Sequence, residues 1–390
     1  MFAKTIRCPF CFADCSTTPV GKPCPTCHSI LPEEVSDSVL FPIVVVGPSG
    51  AGKTHFLTVL AHLLCEGALW PSYWTATRII RQEEDQETEG SPATNGSPDE
   101  FVNWEEKLYP SKSGKGEILG GTTKRSKEKL PLSLVIHLAY SGGVANKIKE
   151  PYRKRDVLLA FTDTAGEDLV HGEWSEVSKK YPILGNKLAE GLIALVNPTQ
   201  LSTIRDECRD ANALRKGKYE QSGLQMSVYA TLQSVLSIPE IRKTMKRKPI
   251  AVCLTKTDAL VNLDKLDPQD LLVGSQDIVS RTESDAGLIS LSNLELLSEK
   301  TEAYMADLDN DNGFREGKPA HDGITGAVNF FKYHAFFATD ALGSAIQTAR
   351  SSRDSQGNEV RMFTGQPMPR RILDPLLWVL WQHGLVGGRK

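Results

Sequence analysis

The stretch GPSGAGKT, Gly47 to Thr54, follows directly on the apolar run FPIVVV. Glycine loses more freedom on ordering than any other residue and gives a core no side chain, so three of them beside a lysine point to a loop shaped by a ligand. A Gly-x4-Gly-Lys-Thr pattern between a strand and a helix fits backbone N–H groups curled around phosphates, with the helix N-terminus adding positive potential. In that arrangement Gly47, Ser49, Gly50, Ala51 and Gly52 line the loop, Lys53 reaches the β and γ phosphates, and Thr54 offers its hydroxyl to Mg2+. The loop requires a buried strand before it and a helix after it, which commits the chain to an α/β architecture.

The rest of the chain repeats that alternation. Short apolar runs at Pro42–Val46, Leu132–Ala139, Val157–Phe161, Gly191–Val196, Ile250–Leu254 and Tyr333–Phe337 read as buried strands, and His55–Cys65 and Gln221–Leu236 carry helical spacing between them. These predict a three-layer α/β sheet, mostly parallel, of about six strands. The connection from the second run to the third is too short for a helical crossover, so that pair is expected to be antiparallel. At 390 residues the chain leaves room for additions. Insertions are expected at about 70–121 and 262–326, the first containing the acidic, Gly/Ser/Pro-rich stretch Arg81–Glu100 that reads as a mobile loop, the second a helix around Leu288–Tyr304. DLDNDNG, Asp307–Gly313, lacks the Glu at the twelfth position that a calcium loop needs, and reads as a solvated turn.

Two further segments narrow the ligand. FTDTAGED ends the third run, placing Asp163 where it can hold the Mg2+ shell and Gly166 where its N–H can meet the γ phosphate. PIAVCLTKTD ends the fifth run and presents Thr255, Lys256 and Asp258. A carboxylate there accepts both the N1 and N2 hydrogens of guanine, a pairing adenine cannot offer, while the lysine stem lies over the base or braces the phosphate loop.

With GPSGAGKT, DTAGED and TKTD in this order, the chain resembles the translation-factor-related class of P-loop GTPases, to which Ras-like proteins belong. The resemblance implies GTP/GDP and Mg2+ as cofactors, Lys53, Thr123, Gly166 and Glu167 as the catalytic set, and Ala338 in HAFFATDALG as an N–H donor to the guanine carbonyl. It also implies a Mg2+ shell of Thr54, Asp163 and a switch threonine, Thr123 or Thr122 in GGTTKRSKEK. Two positions depart from the pattern. Thr255 replaces the usual Asn, which should weaken a brace to the phosphate loop, and Glu167 replaces the water-orienting Gln, which should make hydrolysis slow or partner-dependent. The rival readings are a GTP-binding scaffold with little hydrolysis, and a P-loop kinase or ATPase, since GPSGAGKT is common to those as well.

CPFC at Cys8–Cys11 and CPTC at Cys24–Cys27 form two C-x2-C units, a short version of ribbon spacing, and predict a Zn2+ site of Cys8, Cys11, Cys24 and Cys27 with Cys15 and His28 as spare donors. The division expected is a zinc ribbon at 1–36, the P-loop domain at 37–348 and a tail at 349–390 whose Trp/Leu-rich helix packs on the core. That order also resembles the bacterial double-GTPase families of conflict systems, which implies an effector or GTPase-activating protein as partner and a role in antiphage defence. The net charge of -3 gives no field for nucleic acid, and no apolar stretch is long enough to be a membrane span or a signal core, so a cytoplasmic location is expected.

Overall fold

The runs VLFPIVVV, GLIALV and PIAVCL are apolar at successive positions instead of alternating, the pattern of strands buried on both faces. The computed structural model makes them neighbours in the middle of one sheet. It describes residues 6–47, 50–67, 73–82, 100–109, 115–119, 133–141, 152, 155–164, 178, 181–185, 188–198, 204, 239–267, 269–273, 289–311, 328–343, 350–353, 359–364 and 366–389.

Among these residues the strands are β1 Val39–Val46, β2 Trp74–Ile79, β3 Lys115–Ile118, β4 Ser133–Tyr140, β5 Val157–Asp163, β6 Gly191–Val196, β7 Pro249–Leu254, β8 Ile289–Ser290, β9 Tyr333–Ala338, β10 Arg350–Arg353, β11 Glu359–Thr364 and β12 Gly388–Arg389. The principal sheet runs β2-β4-β5-β1-β6-β7-β9. Its one reversed strand is β4, antiparallel to both β2 and β5, as the short connection requires. The sheet has seven strands where the sequence suggested about six. The addition is β2, WTATRI, inside the stretch read as an insertion at 70–121; as an edge strand it buries Trp74 but exposes Thr75 and Thr77, so it shows no apolar run.

Pro42 sits in the central strand, where a missing N–H should break the ladder. Val39 donates to Asp156 on the β5 side, and alternation turns the Pro42 nitrogen to the β6 side, one residue before β6 begins at the Ile43–Gly191 pair. The absent donor therefore costs no ladder bond.

The same alternation splits the core into two. Phe41, Ile43 and Val45 face the helix α1, Lys53–Glu66, whereas Val44 and Val46 face the N-terminal cysteine module and the helices α4, Pro239–Met245, and α6, Leu291–Asp311. The remaining helices are α2 Glu100–Leu108, the single turn α3 Pro182–Gly185, α5 Thr257–Asn262 and α7 Asp374–Gln382. α7 lies on the α1 face, with Leu376, Leu377, Trp378 and Leu380 buried, so the Trp/Leu-rich helix packs on the core. β10 and β11 form a small sheet with β3.

Asp307 to Asp311 close α6 instead of forming the solvated turn expected of them. The stripe Leu294, Leu297, Thr301, Met305 and Leu308, spaced three or four residues apart, faces the protein and carries the helix past the first carboxylates. Gln221–Leu236 and nearly all of Arg81–Glu100 lie outside the described residues.

Candidate functional site

β1 is the strand at which the chain changes direction across the sheet: β5 lies on one side of it and β6 on the other. In such sheets the crevice outside the carboxyl ends of the strands at this switch point is where a ligand finds room. The loop from Gly47 to Gly52 emerges there. Gly50 and Gly52 hold φ of 76° and 89°, a left-handed geometry that a side chain makes costly. At Gly47 a Cβ would come within 3.0 Å of the Leu195 carbonyl and 3.1 Å of Ala51 Cβ.

Three side chains from two other strand ends pull this loop's carbonyls outward. Asn197 Nδ2, just past β6, and Lys256 Nζ, just past β7, each donate to the Gly50 carbonyl at 2.9 Å. The Thr255 hydroxyl lies 3.1 Å from the Ala51 carbonyl and 3.0 Å from that of Val196 and shares its proton between them. In a trans peptide the N–H points opposite to the C=O. Fixing the carbonyls of Gly50 and Ala51 outward therefore turns the N–H groups of Ala51 and Gly52 inward, which makes an anion-binding concavity. Lys53 Nζ lies back over the loop on the Gly47 carbonyl at 2.8 Å. Thr54 is buried in the first turn of α1, and Asp163 ends β5 in register with Val45.

The brace expected to weaken with Thr255 is made, and Asn197 adds a second one. Sequence reasoning missed Asn197; its only mark is a polar residue directly after the apolar strand GLIALV. Lys256 is itself left-handed, φ 55°, at the start of α5, a conformation costing a non-glycine residue about 1–2 kcal/mol. That turn sets Asp258 in the first turn of α5 while the lysine reaches back to the phosphate loop. The TKTD segment and GPSGAGKT are thus joined by direct hydrogen bonds.

Two unforeseen residues complete the surroundings. Asp340, two residues beyond Ala338 at the end of β9, is 3% exposed, and its Oδ1 accepts the N–H groups of Leu342 and Gly343. Burial, then the charge of Asp340, pushes the Asp258 carboxyl up to about 7; burial likewise raises Asp340. His55, next to Thr54, is half-buried, and its Nε2 accepts the Leu119 N–H at 3.2 Å. Burial, helped by the Lys256 charge, lowers its pKa to about 4 and keeps it neutral, as an acceptor must be. This bond ties α1 to the residue that precedes the stretch bearing Thr122 and Thr123. Those threonines, with Ser49, Gly166 and Glu167, lie outside the described residues.

The cysteine module is built from two matching turns. Phe12 and His28, each four residues after the first cysteine of its pair, are left-handed at φ 62° and 57°, and their N–H groups donate to the Cys8 and Cys24 carbonyls. The four sulfurs of Cys8, Cys11, Cys24 and Cys27 lie within 4.8 Å of one another, with Cys8–Cys27 and Cys11–Cys24 at 3.6 Å. Tetrahedral Zn2+ with bonds of about 2.3 Å needs sulfur–sulfur edges of about 3.8 Å, so the set fits the ion. Cys15 is 3.6 Å from Cys24 but stands outside the set, and His28 is exposed. Hydrogen bonds from Cys11 and Cys8 hold the Cys27 thiol far below its usual range, while bonding within the cluster pushes Cys8 and Cys11 up. A divalent cation would supply the positive charge that four thiolates together need.

No protein-family model and no curated protein matches the chain. Among solved structures, the signal recognition particle receptor SRb-GTP/SRX complex from Chaetomium thermophilum is similar at 14% identity over 78% of this chain and 93% of that one, with a TM-score of 0.28. The S. cerevisiae Ski7 GTPase-like domain bound to GTP is similar at 12% identity over 90% of this chain but 51% of its own, with a TM-score of 0.29. Superpositions this loose carry no argument. The fold rests on the sheet order and the loop geometry. No helix among the described residues is long and apolar enough to cross a membrane.

Proposed function

We propose that this chain is a guanine-nucleotide switch that binds Mg2+-GTP at the loop Gly47–Thr54, hydrolyses it slowly or on stimulation, and so regulates a protein partner. The observation that carries the reading is the pair of hydrogen bonds from Thr255 and Lys256 to Ala51 and Gly50, which joins the TKTD segment to the glycine-rich loop and supports one ligand shared by both. Lys53 neutralises the β and γ phosphates, and Thr54 and Asp163 hold Mg2+. Asp258 accepts the two guanine N–H groups, with Ala338 near the carbonyl edge. Thr123 and Gly166 sense the γ phosphate, and Glu167 is the group that slows or conditions hydrolysis.

Within this reading residues 1–36 form a zinc ribbon held by Cys8, Cys11, Cys24 and Cys27, residues 37–348 the nucleotide domain, and 349–390 a tail packed on it. The partner is an effector or GTPase-activating protein met in the cytoplasm, and the resemblance to double-GTPase conflict proteins supports a role in antiphage defence. Identification of the nucleotide that co-purifies with the protein tests the core of the proposal: GDP or GTP is expected, and an adenosine phosphate overturns it. Lys53→Ala should abolish retention of that nucleotide; unchanged GTP affinity removes the loop from the site.

A further inference from the structure

Asp340 is a carboxylate where a base site needs none. It is 3% exposed, Oδ1 is satisfied by the Leu342 and Gly343 N–H groups, and Oδ2 is buried with no hydrogen-bond partner among the described residues. An unpartnered charged oxygen of this kind costs several kcal/mol of desolvation unless it takes a proton or finds a donor. Among the described residues the acidic side chain facing it is Asp258, close enough for the two carboxyls to share a hydrogen bond once either is protonated. Among the described residues the other charges facing the pair are Lys256, at the start of α5 and hydrogen-bonded to the Gly50 carbonyl, and Arg370, whose backbone is bridged to that of Asp340. Backbone N–H groups of Ala259 and Asp258 also point at the pair. A buried carboxyl beside a half-buried one holds one proton with it for the same reason that paired carboxylates elsewhere do: each charge disfavours the other, and burial adds to the cost of ionising both.

Resting on the guanine-site reading above, we infer that Asp340 is a second carboxyl of the base site, and that the Asp258–Asp340 pair carries one proton which the incoming base displaces. Guanine brings two N–H donors to Asp258, and donors favour the ionised form, so the proton leaves the pair as the base binds. Binding coupled to proton release tightens as pH rises. Asp340 thereby makes nucleotide affinity respond to pH near neutrality, and with Oδ1 it positions the 341–343 turn beside the base.

The test compares the dissociation constant of Mg2+-GDP for the full chain and for Asp340→Asn between about pH 6 and about pH 8. The Asn amide keeps an acceptor for the two backbone N–H groups and a donor toward Asp258, but holds no titrating proton. The wild type should tighten relative to the variant by up to about tenfold per pH unit. Titration of the diphosphate is common to both proteins and cancels in the ratio. Parallel profiles overturn the inference while leaving the guanine site standing; absence of GDP binding at every pH overturns both. Asp340→Ser, whose hydroxyl can cap the same turn, repeats the comparison if the Asn variant does not fold.

Discussion

At the level of single residues the base site turns on the hydrogen-bond polarity of one side chain. Asp258 offers acceptors only, and its replacement by Asn puts a donor where guanine has its own N2 donor. Asp258→Asn should weaken GDP binding by about two orders of magnitude and favour the xanthine nucleotide, whose C2 carbonyl accepts. Competition of the two diphosphates against a fluorescent analogue measures the exchange; an unaltered GDP preference removes Asp258 from the site. The same pair affects stability without nucleotide. Both carboxyls are raised in the folded protein, so the folded state holds protons that the unfolded chain releases. Their contribution to stability is present below the unfolded carboxylate range, near pH 4, and is lost as pH rises, for Asp258 through about 7. Asp340→Asn should therefore raise the unfolding midpoint at about pH 8 and leave it nearly unchanged at about pH 5, a difference that calorimetric scans at the two pH values resolve.

Among elements, α7 shows how closely the fold is fitted. Its Val379 side chain lies against Gly191 at the start of β6, where a Cβ would meet Val379 Cγ1 at 2.5 Å. Gly191→Ala should push α7 off the sheet and cost about 1–3 kcal/mol by overpacking, and Trp378→Ala about 3–5 kcal/mol by leaving a cavity beside Phe337. Urea unfolding of both variants checks the order; equal stability of Gly191→Ala and wild type means α7 is not held there. Elements of this kind were legible because burial on both faces writes itself as an unbroken apolar run: β1, β5, β6, β7 and β9 and the helix of the phosphate loop stand close to their sequence limits. β2, with two exposed threonines, and β3, β10 and β11, paired outside the principal sheet, carry no such run. At the candidate site GPSGAGKT and TKTD were readable as patterns, since in the proposed reading each spacing answers a phosphate or a base. Asn197 and Asp340 were not, because their meaning lies in which strand ends the topology brings together.

For the whole molecule the decisive coupling is between the cysteine module and the sheet. The module has no core of its own: Phe10, Phe12, Leu31 and the cysteines share one apolar cluster with Val44, Val135 and Leu158 of the sheet. Polar ties reinforce it. The Arg81 guanidinium donates to Ser29 Oγ at 2.7 Å and to the Cys27 carbonyl at 3.3 Å, the Ile30 N–H to the Gln82 carbonyl, and Ser133 Oγ to the Phe10 carbonyl at 2.8 Å. Arg81 and Gln82 follow β2, and Ser133 opens β4 in register with Thr162, so the module docks at the same end of the sheet as the nucleotide loops. In the proposed reading a metal holds the two turns of so short a unit, and the free energy of binding is then folding free energy. Chelation, or Cys24→Ser, should unfold the module and uncover the Val44/Val135 face. The principal unfolding midpoint should then fall by several degrees, at about 2–4 °C per kcal/mol for a domain of this size. Lys53→Ala must leave that loss intact, because the metal acts on the opposite face of the sheet from α1. Differential scanning calorimetry with and without chelator decides it: a midpoint indifferent to zinc means the module is carried by the sheet and gives it no support in return.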